Sequence, residues 1–301
     1  MGLHMLSGYF ITILITVLIY AILAHSLNII TGHAGQISLG HAAFFGIGAY
    51  TSAWLYGQAG FPFWLSVPLA AIVAGIIGAI LGIPCLRVRD DFLAITTMGI
   101  NFVVEAVFLY TPFFGGAMGM GGIDLPRWFG REMTKPEYAV LILIVFALLL
   151  VLDWWLGRSW VGLAWASIRE DEVAAEAMGV DVVRFKVVAF VMGSAIAGLA
   201  GGFYAHFLTF IMPQNFGFGQ SIVILSMVVF GGIGTRWGPV VGAIILGVLP
   251  EVSRPIMEYR TLVYGLLLVA MMRFQPGGLL GSESLLMKMV RRPVHGATEQ
   301  E

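Results

Sequence analysis

The sequence predicts an all-α protein, a polytopic transmembrane helical bundle of about 8–9 spans with one or more of them broken or re-entrant. Three observations predict it. Of 301 residues, 59% are apolar and only 11% are charged, against about 25% charged in a soluble domain. Met1 to Leu86 contains no Asp, Glu, Lys or Arg, and a second charge-free run extends from Val187 to Thr235. A water-facing surface cannot be built from such runs, whereas a bilayer accepts them. Barrel strands of about 10 residues with alternating polarity are absent from the pattern.

A span needs about 20 predominantly apolar residues. The candidates are 9–27, 39–56, 63–84, 92–112, 138–156, 186–208, 220–233, 238–252 and 261–273. The first lacks a basic leader and reads as a retained helix. Residues 1–280 form one membrane domain, with a cytoplasmic loop at 158–186 and a polar tail at 281–301. Orientation follows from basic residues in short loops. Arg87 and Arg89, then Arg158, Arg169, Arg184 and Lys186, then Arg236, then Arg273 and the tail all fall on one side by span counting, which is assigned to the cytoplasm. Arg127, Arg131, Lys135, Arg254 and Arg260 fall opposite, so the bias is imperfect. The N-terminus is then outside if 39–56 crosses fully.

A net charge of −1 argues against a nucleic-acid partner. Cys85 is the one cysteine, which leaves no internal disulfide. The chain has no GxxxxGK[ST] loop to cradle nucleotide phosphates, no HExxH, no clustered Cys/His set and no GxSxG. No cofactor is therefore expected in this chain, nor enzyme activity. Ion-coupled carriers use several buried ionisable groups, and the spans offer few. The energy source is expected in another subunit.

Three segments stand out. Asn28–Tyr50 carries Gly32, Gly35, Gly40, Gly46 and Gly48 together with Gln36, Ser38 and His41. A helix broken at membrane depth is tolerated where protein or a water-filled path satisfies its backbone, so this segment reads as a lining of a translocation path. Close packing through small residues is the alternative. Arg158–Lys186 is the most charged stretch, with Arg169, Glu170, Asp171, Glu172 and Glu176. Ile168, Val173, Ala174, Ala177 and Met178 recur near helical spacing, which predicts a short amphipathic helix ended by Gly179. Phe230–Pro250 contains Gly234, Gly238 and Gly242, read as a tight turn around Arg236 with weak GxxxG spacing after it. Glu105, in the middle of 92–112, joins Gln36, Ser38, Gly40 and His41 as a path candidate. His25 and His206 lie near span ends and read as interfacial.

LNIITGHAGQISLGHAAFFGIGAY, SIREDEVAAEAMGVDVVRFKVVAFVMGSAIAGLAGGFYAH and FGGIGTRWGPVVGAIILGVLPE resemble, in that order, the signature blocks of the LivM-type permeases of branched-chain amino acid ABC importers. The resemblance runs over most of residues 9–280. It implies a bacterial inner-membrane subunit that pairs with a second, LivH-type permease, two ATP-binding subunits that hold the ATP, and a periplasmic solute-binding protein. It also implies a coupling helix with a pattern similar to EAAxxxG. Glu172, Ala174, Ala175 and Gly179 match that pattern with Val173 inserted, and Arg169 stands just before it. The family commonly carries Gly-Glu after a stretch like LAITTMG, where this chain has Asn101 and Phe102. Related permeases take urea, amides or aromatic acids, and a stand-alone channel or carrier is the competing class.

Overall fold

The computed structural model describes residues 2–85, 90–128, 130–252, 260–274 and 277–281. Arg87, Arg89, most of the 253–260 loop and nearly all of the 281–301 tail lie outside the described residues. Eleven α-helices follow among those described: α1 (Gly2–Leu27), α2 (His41–Gly57), α3 (Phe63–Cys85), α4 (Asp90–Tyr110), α5 (Lys135–Arg158), α6 (Trp160–Glu170), α7 (Glu172–Ala177), α8 (Val182–Leu208), α9 (Phe218–Gly231), α10 (Gly238–Val252) and α11 (Arg260–Phe274). All nine expected spans fall on helices. Among the described residues, six stretches are long and apolar enough to cross a membrane: Gly8–His33, Phe63–Ile83, Phe92–Tyr110, Lys135–Arg158, Val182–Leu208 and Pro213–Gly231. Helices α2, α10 and α11, at 17, 15 and 15 residues, fall short of that length. Among the described residues, strand structure is confined to two-residue bridges, β1 (Met120–Gly121) with β4 (Phe210–Ile211) and β2 (Arg127–Trp128) with β3 (Arg131–Glu132).

Helix α8 is the axis of the packing, with α2 and α3 against it and α1 alongside. Small residues make this possible. A Cβ on Gly48 would strike the Gly198 backbone, and one on Gly201 would strike the Phe45 carbonyl, so these backbones approach to a distance only glycine permits. By contrast α5 and α4 present rows of exposed apolar side chains, among them Val140, Ile144, Leu148 and Val151 on α5 and Ile95 and Val103 on α4. In a bilayer those rows meet lipid or another membrane protein rather than water.

The connections sort to two ends. At one end the 111–134 segment meets the 209–217 segment through β1 and β4, and Tyr56 and His206 both bond Asp124 there. At the other end lie the end of α1, α6, α7 and the 232–237 turn, joined by Arg169, Asn28 and Asp153. Two of the basic residues at the first end are paired locally. Arg127 lies 3.5 Å from Asp124 and 3.7 Å from Glu132, and Arg131 pairs with Glu137. Two of the outlying cations thus come with their own carboxylates, while Lys135 reaches Thr12 Oγ1 at 3.5 Å.

Candidate functional site

Helix α1 continues as a π-helical turn over Asn28–His33, and the chain then loses helical form until α2 begins at His41. Gly35, with φ +74°, turns the chain back. From there burial alternates: Gln36, Ser38 and Gly40 are buried, while Gly35 and Ile37 are exposed. That is the two-residue period of an extended chain.

An extended stretch inside a bundle leaves backbone groups without helical partners, and neighbouring helices supply them. Leu39 N–H donates to Thr97 Oγ1 of α4 at 3.0 Å. Ala42 N–H, in the first turn of α2, donates to Ser221 Oγ of α9 at 2.9 Å. Ser221 in turn donates to Asn101 Oδ1 at 2.9 Å, and Asn101 Nδ2 donates to Phe216 O at 3.2 Å. Thus Asn101 is fully buried in the bond chain that supports the break. Gly40 sits so close to α4 that a Cβ would strike the Thr97 carbonyl.

Side chains of the break are less well served. His41 Nε2 lies 2.6 Å from Ser26 Oγ, whose proton goes to Leu23 O at 2.7 Å. The ring therefore donates from Nε2 and leaves Nδ1 as an acceptor. His41 Nδ1, Ser38 Oγ and both polar atoms of the Gln36 amide have no hydrogen-bond partner among the described residues, although Gln36 and His41 are 0% exposed. Glu105 is separate from this group. It is half-buried on α4, with its carboxylate against Gly217 at the start of α9, where the N-terminal dipole favours an anion.

At the charged end, α6 and α7 resolve the amphipathic segment into two helices. Asp171 caps α7 by accepting from Ala174 N–H at 3.0 Å. Gly179 closes it in a Schellman arrangement, with Val180 N–H to Ala175 O at 3.0 Å and Gly179 N–H to Glu176 O at 2.9 Å. The φ of +89° at Gly179 is the one that motif requires. Glu172 is tied to Lys186 of α8 by an ion pair. Ala175 faces inward, while Ala174 and Ala177 face out with Val173, 78% exposed, and Met178, 86% exposed. The two alanines named from sequence thus divide between the faces. Arg169 does not join the outward face: its Nη1 donates to Gly32 O at 2.7 Å, and the guanidinium lies against Gly234.

Sequence reasoning singled out Glu105 and missed Asp153, which is 3% exposed near the end of α5. His33 Nε2 donates to Asp153 Oδ1 at 2.9 Å, His25 Nε2 lies 3.5 Å from the same oxygen, and Arg236 Nε lies 3.5 Å from Oδ2. His25 and His206 lie in the last turns of α1 and α8 and are both buried in the bundle, His206 bonding Ser52 and Asp124 O at 3.2 and 2.8 Å. The available signal was an Asp inside an apolar span, with two histidines and an arginine elsewhere to pair it. His33, Asp153, Trp165, Arg169, Glu170 and Gly234 line a cavity of about 450 Å³. No group of three or more His, Cys, Asp or Glu suited to a metal ion occurs among the described residues.

A multi-pass helical bundle with a broken, polar segment in its core and a capped helix displayed at its charged end is the architecture of a membrane transport component. The profile of the branched-chain amino acid transport system permease component matches residues 9–272, and the chain belongs to that family. It is 36% identical over 293 residues to the high-affinity branched-chain amino acid transport system permease protein LivM of Salmonella typhimurium, covering 87% of this chain and 68% of the relative; the Escherichia coli LivM gives the same figures. The LivH permease protein of Salmonella typhimurium is 27% identical over 288 residues, 87% of this chain and 91% of the relative. No solved structure matches the chain.

Proposed function

We propose that the chain is a membrane-spanning permease subunit of an ATP-binding-cassette importer and forms part of the path for branched-chain amino acids. The observation that carries the energy-coupling side of this reading is α7. A six-residue helix capped at both ends and anchored through Glu172–Lys186 holds Val173, Ala174, Ala177 and Met178 outward. An apolar knob at the charged, water-facing end is a protein-docking feature, and an ATPase groove is its partner in this reading. ATP is bound by two partner subunits. A LivH-type permease completes the pathway, and a periplasmic binding protein delivers solute at the opposite end, where the 111–134 segment is the longest connection. Both ends of the path then open at the faces of a bacterial inner membrane. Residues 34–40 with α2, and α10 with α11, complete the bundle toward the 8–9 crossings.

For the path itself, Gln36, Ser38, Gly40 and His41 form the polar stretch, with unpaired buried groups suited to a polar solute. Glu105 marks the α4 side.

Proteoliposomes test the proposal. The chain reconstituted with the second permease and the ATPases should accumulate leucine, isoleucine or valine only with ATP and loaded binding protein. Accumulation against a gradient by this polypeptide alone would make it a secondary carrier and end the importer reading.

A further inference from the structure

We infer that Asp153 is a positioning residue for coupling: it locks the end of α1 to the 232–237 turn, so that force received at α7 reaches the broken segment through this carboxylate. The inference rests on the importer reading above. Its basis is a single convergence of elements that are far apart in sequence. From α1 and its π turn come His25 and His33; from the turn between α9 and α10 comes Arg236; Asp153 itself stands on α5. At 1.5 Å per residue the carboxylate is about 7.5 Å along the axis from Arg158, the last residue of α5. A carboxylate so placed and 3% exposed is held there by its partners, since an unpaired buried charge is strongly disfavoured.

Two further ties run through the same neighbourhood. The Asn28 amide grips the turn from both sides, accepting from Gly234 N–H at 2.8 Å and donating to Thr235 O at 3.1 Å. Arg169, the last basic residue before α7, donates to Gly32 O at 2.7 Å and lies against Gly234. A displacement of α7 is therefore felt at α6, at the π turn and at the glycine turn together. The π turn leads straight into residues 34–40. Turns with π geometry recur at functional sites, and this one carries His33, the nearest partner of the Asp153 carboxylate. Glu170 is the other carboxylate lining the cavity beside Asp153, and it follows Arg169 on α6.

The test uses the assembled importer in proteoliposomes and reads ATP hydrolysed per solute transported. Asp153→Asn should still assemble with the ATPases, cut uptake about tenfold and raise the ATP-to-solute ratio at least about fivefold. Arg236→Gln, at the rim of the cluster, should raise it about threefold, and Arg236→Lys should stay within about twofold of the parent. An assembled Asp153→Asn complex with an unchanged ratio overturns the inference. If that variant does not assemble, Arg236→Gln decides: an unchanged ratio, or equal impairment by the Gln and Lys variants, overturns it. Gly179→Val serves as the control for the reading beneath. Uncoupling by Gly179→Val with normal coupling in the Asp153 and Arg236 variants removes this inference alone; normal coupling in all of them removes the coupling-helix assignment as well.

Discussion

Ser221 and Ser226 show how little the residue type says without its neighbours. They lie on the same helix and both are buried. Ser226 bonds its own helix, donating to Ile222 O at 2.7 Å, so alanine there loses little. Ser221 receives Ala42 N–H and donates to Asn101, so its removal strands a buried donor and a buried acceptor. Leaving such groups unpaired costs about 1–3 kcal/mol each. Ser221→Ala should therefore lower the thermal unfolding temperature of the detergent-solubilised protein clearly more than Ser226→Ala, and equal shifts would contradict the bond chain. Gln36 makes the opposite case. Its amide is buried without a partner, so exchanging it for an apolar group of similar size removes a desolvation cost and no bond. Gln36→Leu is expected to leave the unfolding temperature unchanged or raised while uptake falls at least about fivefold. Loss of stability together with uptake would make Gln36 a structural residue instead of a path residue.

At the scale of elements, α7 depends on its last turn. A β-branched residue at Gly179 must adopt φ +89°, a strain of about 1–2 kcal/mol, or unwind the Schellman closure. Either outcome misplaces a helix too short to hold its own shape, since isolated helices below about 12 residues are marginal. Gly179→Val should thus assemble in the membrane yet hydrolyse ATP without matching transport, measured as the same ATP-to-solute ratio. Normal transport would remove the coupling role. The stop of this element was legible in the sequence because its cue is local, Gly179 after apolar residues at helical spacing; the break at Asp171, which divides that spacing between α6 and α7, was not. The break after α1 was legible for the same reason, as glycines and polar residues crowd residues 32–41. The Asp153 cluster was not, because its members stand at 25, 33, 153 and 236, and no spacing within one segment announces that they meet. Nor could composition tell that Arg169, an exposed residue, bonds Gly32 O; that depends on how α6 lies against the π turn.

On the scale of the whole molecule, the two ends of the bundle are set by charge, and the sequence marked them only as far as loop parity allowed. At the end bearing β1 and β4, Arg127 and Arg131 are matched by Asp124, Glu132 and Glu137. At the other end Arg169 donates to Gly32 O and Arg236 lies 3.5 Å from Asp153, which ties that end to the core; the proposed function puts it on the cytosolic side. The prediction is a sidedness with two arms. In a chain with Cys85 replaced by Ser, a cysteine at Val173 on α7 and another, in a separate chain, at Met118 near β1 are both well exposed positions. An impermeant thiol reagent added to intact spheroplasts should label Met118→Cys at once, and should label Val173→Cys only after the membrane is opened. Labelling of both from outside would mean that the two ends do not lie across a bilayer from each other. The reverse pattern would turn the bundle over, place α7 beyond the reach of any cytosolic ATPase, and leave the buried ties between α6, the π turn and Asp153 with no force to transmit.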